Sequence, residues 1–309
     1  MPADTPDDLW KEAMALLLRW QQAPDDEAVR QEVRAFCGRG EDCLRAWAEA
    51  KTVYRLSRAA LETGADDPPG GRISRRGLLG LAGAAVIGGA GLAYWHANRL
   101  PPGTLLTQTA EITDIDLADG SRLTLGPDTK VLVSMSDTIR RIDLFDGFLY
   151  CRLAEDRRPA ILHAGAFRTQ TAAATLDIAF DGADCYSGVV DGKAAYSFAA
   201  AEGEMRGGDW VRASLDDGNI ERGRLDAADA GAWRRGRLIV RNERVDRVVA
   251  KIARWQRGKV LIADSALAGA RISGVFDTSD PRVALETVVS PHGGRVRQAG
   301  PWITVLTTL

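Results

Sequence analysis

The 309-residue chain contains few of the residues on which catalytic and metal sites usually depend. Its three histidines, His96, His163 and His292, lie far apart in the sequence. The chain has no HExxH motif, no nucleophile elbow and no glycine-rich phosphate loop. We therefore expect a protein that is not an enzyme and that has no catalytic residues, no cofactor and no bound metal.

An excess of charge of one sign is also missing. The 40 Lys and Arg residues nearly balance the 42 Asp and Glu residues, whereas domains that bind nucleic acid usually carry clustered positive charge. We therefore expect no direct contact with nucleic acid.

One long apolar run is present, at Gly77–Trp95 (GLLGLAGAAVIGGAGLAYW). It carries no charge, and a helix of this length would span roughly 28 Å, close to the hydrocarbon thickness of a bilayer. Arg72, Arg75 and Arg76 precede it. The positive-inside rule therefore predicts a single-pass membrane protein, with residues 1–76 in the cytoplasm and residues 97–309 outside it. The alternative is a cleaved export signal, because Ser74–Leu79 is similar to a twin-arginine motif.

The four cysteines are Cys37, Cys43, Cys151 and Cys185, and no two have CxxC spacing, which argues against zinc and redox catalysis. Under the predicted topology Cys151 and Cys185 face an oxidising compartment and could form a disulfide. The sequence leaves this pairing open, because it does not supply the distance between the two Cα atoms.

Residues 1–62 predict a small all-α cytoplasmic bundle, followed by a flexible linker at 63–76 and the membrane helix at 77–95. Apolar residues recur at helical spacing in three runs, which Pro24 and Gly38–Gly40 separate. The tryptophans of these runs either form the core of the bundle or cover a partner helix, as in helix-in-groove recognition.

Residues 104–225, after a linker at 96–103, alternate apolar and polar side chains between turns. Asp-Gly between alternating runs is a strong signal for a hairpin. The Asp-Gly pairs are Asp119-Gly120, Asp146-Gly147, Asp181-Gly182, Asp191-Gly192 and Asp217-Gly218. We predict an all-β domain outside the cytoplasm, either a sandwich or a β-helical stack.

Residues 232–309 change to alternating strand and helix patterns. The predicted strands are Arg237–Arg241, Lys259–Ala263, Ala270–Phe276 and Trp302–Leu306. An amphipathic helix with Val245 and Trp255 follows the first strand, and Asp280-Pro281 begins another helix. This pattern predicts an α+β domain built from two βαβ units.

Short motifs occur in order along nearly the whole chain. They are Ala46-Trp47 with Val53-Tyr54, Ile115–Leu125 (IDLADGSRLTL), Arg140–Leu153 with Arg157-Arg158-Pro159, Ala232–Leu238 (AWRRGRL), Ile272–Asp277 and Asp280–Leu285. Together they resemble the motifs of the FecR family, membrane-spanning regulators of extracytoplasmic-function sigma factors. The last three resemble the C-terminal domain that the family shares with secretins and TonB-dependent transducers.

The resemblance implies a transmembrane regulator of the anti-sigma factor type. It would cross the inner (cytoplasmic) membrane once, with a cytoplasmic N-terminus and periplasmic C-terminal domains. Such a protein would relay a periplasmic signal from a TonB-dependent outer-membrane transducer, for iron-siderophore uptake, to an extracytoplasmic-function sigma factor. Regulatory proteases are further candidate partners. Our candidates for the sigma-factor contact, or for its supporting core, are Trp10, Trp20, Trp47 and Tyr54. Our candidates for the transducer contact are Val248, Ile252, Trp255 and Phe276.

Two other interpretations of the sequence remain. The C-terminal domain would also suit an envelope assembly module related to secretin-type proteins, and a membrane-anchored enzyme with unrecognised catalytic residues is a third interpretation.

Some family members break a Gly-Thr bond by themselves. Here Ala174 stands before Thr175, and alanine allows the strained backbone less readily than glycine, so we expect no self-cleavage.

Overall fold

The computed structural model describes residues 5–23, 26–63, 100–224, 226–299 and 302–308. The chain divides into two compact units. We call the described residues between 100 and 235 the β unit, and those between 5 and 63 together with those between 236 and 308 the mixed unit.

Three helices at the N-terminal end of the mixed unit confirm the helical pattern of the sequence: α1 (Pro6–Gln22), α2 (Glu27–Cys37) and α3 (Glu41–Thr63). Thr5 and Asp8 form a reciprocal capping box at the start of α1, and the Asp26 side chain accepts the N–H of Ala28 at the start of α2. Apolar residues from all three helices, such as Leu17, Phe36 and Ala50, are buried together.

The β unit contains twelve strands among its described residues. They are β1 (Leu105–Leu106), β2 (Thr113–Asp116), β3 (Arg122–Leu125), β4 (Lys130–Met135), β5 (Arg140–Leu153), β6 (Ala160–Ala164), β7 (Phe167–Thr171), β8 (Ala174–Phe180), β9 (Asp184–Phe198), β10 (Ala201–Arg206), β11 (Asp209–Ser214) and β12 (Ile220–Arg224). Within this set only β5 and β6 pair in parallel, which is closer to the predicted sandwich than to a β-helical stack of parallel strands.

Strands β5 and β9 each change their neighbours at a glycine. Residues 140–146 of β5 pair with β4 and β6, whereas residues 147–153 pair with β3 and β8. Strand β9 changes from β8 and β11 to β7 and β10 after Gly192. Gly147 has φ +109° and Gly192 has φ +90°. Both long strands thus take part in both halves of the folded sheet, around one apolar core.

The hairpin prediction is therefore correct at three Asp-Gly pairs and wrong at two. Gly120, Gly182 and Gly218 lie in the turns between β2 and β3, β8 and β9, and β11 and β12. Gly147 and Gly192 instead lie inside β5 and β9. The reason is that a glycine with positive φ can produce a bend within a strand as well as a reversal of the chain.

The C-terminal part of the mixed unit has five strands and three helices in its described residues. They are β13 (Arg237–Arg244), α4 (Val245–Ala253), β14 (Lys259–Ile262), α5 (Ser265–Gly269), β15 (Arg271–Asp277), α6 (Pro281–Val289), β16 (Arg295–Gln298) and β17 (Ile303–Thr307). The predicted elements are present, but the βαβ units are wrong, since β13 and β14 lie in different sheets. Strand β13 pairs antiparallel with β15, and β14 pairs parallel with β17.

The predicted fold class and location, a multidomain membrane protein that crosses the inner membrane once, are wrong. Across the described ranges, the structure has no helix of sufficient length and apolar character to cross a bilayer. The predicted helix at 77–95, and residues 64–76 of the linker before it, lie outside the described residues. The N-terminal helices and the C-terminal domain, which the prediction placed in different compartments, belong to one compact unit.

Candidate functional site

Two of the sequence motifs meet at a buried ion pair in the β unit. Arg140, at the start of β5, is fully buried and donates from Nη1 to Oδ2 of Asp119 at 3.1 Å. Nη1 also donates to the carbonyl oxygen of Ala154, while Nε donates to that of Arg158 and Nη2 to that of Ala172. This single side chain therefore holds together the β2–β3 turn, the segment after β5 and the β7–β8 turn.

The Asp119 carboxylate remains ionised in this setting. Burial raises its pKa, but hydrogen bonds from the N–H and hydroxyl of Ser121 and from Arg140 outweigh burial, and the net effect lowers the pKa below its ordinary value. The arrangement is a structural one, because every group in it is satisfied within the protein.

A second buried carboxylate fixes the chain that follows β12. Asp177 of β8 accepts the N–H of Gly231 at 2.9 Å and the indole N–H of Trp233 at 3.1 Å. The Trp233 ring lies 5.7 Å from the Phe148 ring, and the Arg234 guanidinium lies 3.5 Å from the centre of the Tyr150 ring. Burial raises the pKa of Asp177. The AWRRGRL motif therefore begins as a segment that is anchored to the β unit.

The two cysteines proposed for a disulfide are free and buried. Strand β8 lies between them, because Cys151 is opposite Leu176 of β8 and Cys185 is opposite Phe180. Two strand spacings and a four-residue offset separate them by about 10 Å across the sheet and about 13 Å along it. A disulfide requires Cα atoms within about 7 Å, so this pairing is wrong. Burial raises the pKa of Cys151 to about 12.

The Ala174-Thr175 bond lies at the start of β8. Ala174 and Thr175 are opposite Leu153 and Arg152 of β5. That self-cleavage does not occur at this bond stays a prediction.

The four predicted sigma-contact residues lie on two faces of the helices. Trp47 is 8 % exposed, and its ring centre lies 5.9 Å from that of Trp20. Trp20 and Tyr54 are partly buried against the same core. Trp10 is also 8 % exposed, but it packs in a separate cluster that includes Val53. Their role in partner contact stays a prediction.

Two leucines of the helices have exposed side chains. Leu18 of α1 is 45 % exposed and Leu44 of α3 is 52 % exposed. Leu44 lies one turn before Trp47, so the two residues are neighbours along α3. The indole N–H of Trp20 is buried and has no hydrogen-bond partner among the described residues. Sequence reasoning selected the aromatic residues as contact candidates and did not select Leu44.

The four predicted transducer-contact residues lie mainly in the core. Val248 and Ile252 are fully buried and Phe276 is 3 % exposed, while Trp255 is partly buried. A partner could reach their exposed neighbours but not these three side chains. The exposed apolar residues of this domain are instead Val275, Val283 and Trp302.

Sequence reasoning also missed Arg297 of β16. Its side chain is 5 % exposed and donates to Glu49 at 2.7 Å and to Asp7 at 2.6 Å. The guanidinium lies 5.0 Å from the centre of the Trp10 ring. Burial lowers the pKa of Arg297, but the two carboxylates outweigh burial and raise it overall. This group ties the N-terminal helices to the sheet in which β17 lies between β14 and β16.

Comparison with known proteins gives one match by family and a likeness by structure. Residues 103–195 match the model of the family described as FecR protein. No curated protein matches the sequence. Two crystal structures of a putative anti-sigma factor from Parabacteroides distasonis, at 1.65 and 2.50 Å resolution, are similar to this chain, each with a TM-score of 0.61 and 17 % identity. They cover 66 and 67 % of this chain and 97 and 98 % of their own chains.

At 17 % identity the structural likeness shows a shared fold. The matched range includes both the IDLADGSRLTL segment and the Arg140 segment, which the Asp119–Arg140 pair joins. The resemblance to the FecR family is thereby confirmed over residues 103–195.

Proposed function

We propose that the protein is a regulator of the anti-sigma factor type, whose N-terminal helices bind a sigma factor. The observation that carries this proposal is the FecR domain at residues 103–195. The fold shared with the putative anti-sigma factor from Parabacteroides distasonis supports it. A regulator of this type acts by binding another protein, so no catalytic step is part of the proposal.

The contact surface of this proposal lies beside the paired rings of Trp20 and Trp47. Exposed Leu44 borders Trp47 on α3, and exposed Leu18 lies on α1. Exposed apolar side chains next to a buried aromatic core suit the apolar face of a partner helix. Trp47 supports this surface from below, because it is itself buried.

The partners can be named more finely from the family resemblance. The sigma factor would be of the extracytoplasmic-function class, and the signal would come from the signalling domain of a TonB-dependent transducer loaded with an iron siderophore. The exposed residues Val275, Val283 and Trp302 of the C-terminal domain are the apolar side chains available for that contact. Regulatory proteases would then end the interaction.

The experiment is a pull-down of the purified full chain against the extracytoplasmic-function sigma factors of the source organism. The test variant is Leu44→Arg, which places a charge on the proposed surface. The matched control is Leu106→Arg, because Leu106 is also exposed, at 60 %, but lies in β1 of the β unit. We expect saturable binding of one sigma factor, lost in Leu44→Arg and retained in Leu106→Arg.

Binding that survives Leu44→Arg would contradict the proposed surface but not the proposed function. If the folded full chain bound none of the sigma factors, the function itself would be wrong, and the envelope assembly interpretation would gain weight.

A further inference from the structure

An open groove lies on the outer face of the sheet formed by β4, β5 and β6 in the β unit. Its cavity volume is about 560 Å³, and its lining includes Leu132, Arg141, Asp143, Phe145 and His163. Nothing in the FecR match or in the proposed sigma-factor contact assigns a role to this groove.

Strand alternation explains why these side chains share one face. Along β5, Ile142 and Leu144 are buried in the core, so Arg141 and Phe145 face the opposite side. The pairing register places Leu132 of β4 and His163 of β6 directly opposite Asp143, one on each side. The groove therefore combines an apolar wall and a polar group across three adjacent strands.

The polar group is centred on the Asp143 carboxylate, whose side chain is 13 % exposed. Nε of Arg141 donates to its two oxygens at 2.9 and 2.8 Å, and Nδ1 of His163 lies 3.1 Å from Oδ1. Because a carboxylate only accepts, Nδ1 of His163 is the donor. Asp143 thus fixes the orientation of both side chains.

These contacts leave the outer atoms of both side chains available. The two Nη groups of Arg141 and Nε2 of His163 have no hydrogen-bond partner among the residues that the structure describes. Planar guanidinium groups bind carboxylates with two parallel hydrogen bonds, which requires a free pair of N–H donors. Arg168 lies opposite His163 on β7 and adds a second positive charge to this face.

The apolar wall lines the same groove as these donors. Phe145 is 36 % exposed and Leu132 is partly buried. A groove that is lined by both an exposed phenyl ring and a fixed guanidinium suits a molecule with one charged end and one hydrophobic end.

We propose that this groove binds small carboxylates that carry an apolar group. The ligand carboxylate accepts from the Nη groups of Arg141, and its apolar part packs against Phe145 and Leu132. A hydroxyl or amino group on the ligand would donate to Nε2 of His163. The site is independent of the helices that carry the proposed sigma-factor contact.

The test uses the full chain and two matched probes, phenylacetate and its neutral analogue phenylacetamide. Binding is measured by saturation-transfer difference NMR titration. The variants are Arg141→Gln and Phe145→Ala, with Arg122→Gln as the control. Arg122 is a suitable control because its side chain is 51 % exposed, nearly the same as the 50 % of Arg141. Arg122 also pairs with an aspartate of its own hairpin, as Arg141 pairs with Asp143 of its own strand.

We expect saturable binding of phenylacetate by the wild-type protein and much weaker binding of phenylacetamide. Loss of a charge-assisted hydrogen bond should weaken phenylacetate binding about tenfold or more in Arg141→Gln. Phe145→Ala should also weaken it, and Arg122→Gln should not. No saturable binding by the wild type, equal binding of the two probes, or equal effects of Arg141→Gln and Arg122→Gln would overturn the proposal.

Discussion

At the scale of single residues, the Asp119–Arg140 pair carries the clearest consequence for stability. Asp119→Ala leaves the fully buried Arg140 without its carboxylate, and removal of one partner from a buried pair costs about 3–5 kcal/mol. The control is Asp116→Ala on the same hairpin, where both side chains of the pair with Arg122 are more than half exposed. Its expected cost is about 1 kcal/mol or less. Urea denaturation measures the free energy of unfolding of both variants. Equal losses of this free energy would show that the buried pair has no special role.

The same residue gives a dependence on pH. The pKa of Asp119 is lowered in the folded protein, so below the ordinary value of about 4 the unfolded chain binds the proton more readily. The stability that this carboxylate contributes is therefore present above that pH and is lost as the pH falls below it. In Asp119→Asn this loss is removed. Between pH 6 and pH 2.5, the midpoint temperature of thermal denaturation should fall less steeply for Asp119→Asn than for the wild type. Parallel curves of midpoint temperature against pH would contradict the assignment.

At the scale of elements, Gly147 is the position where β5 passes from one half of the sheet to the other. A Cβ at this position would lie 2.6 Å from Cα of Thr129, and the backbone there has φ +109°. Strain and overpacking together predict that Gly147→Ala costs about 3 kcal/mol or more. Gly218 has φ +71° but open space around its Cα, so Gly218→Ala should cost only about 1–2 kcal/mol. The free energies of unfolding of the two variants decide the point, and an equal or smaller cost for Gly147→Ala would contradict it.

The predictability of the elements follows from the range of the interactions that form them. Local signals sufficed for α1, α2, α3 and most strands, because caps, alternation and helical spacing act over a few residues. The same signals could not tell a bend from a hairpin at Gly147, since positive φ serves both. They also could not predict that β13 pairs with β15 rather than with β14, because the packing of the core determines which strands pair.

The candidate site shows the same limit. The helical spacing identified Trp20 and Trp47, which lie close together. It missed that Arg297 bonds to Glu49, which lies 248 positions earlier. A buried arginine on a short strand carries no sequence signal for a partner so distant along the chain.

At the scale of the whole molecule, the mixed unit joins segments that the sequence had assigned to different compartments. Arg297→Ala tests this arrangement, because it leaves the Glu49 side chain, 5 % exposed, without its partner. We expect a loss of about 3–5 kcal/mol and faster proteolysis within α1–α3. Arg295→Ala on the same strand is the control, since Arg295 is exposed and its loss should change stability by about 0.5 kcal/mol or less. Equal behaviour of the two variants would contradict the compact unit.

The central claim is that the N-terminal helices bind a sigma factor. Hydrogen–deuterium exchange of the full chain, with and without a saturating extracytoplasmic-function sigma factor from the source organism, tests this claim most directly. The account predicts new protection of amides in α1 and α3, around Leu18 and Leu44, with little change in β1–β12. Protection confined to the β unit or to the C-terminal strands, with α1 and α3 unchanged, would contradict it.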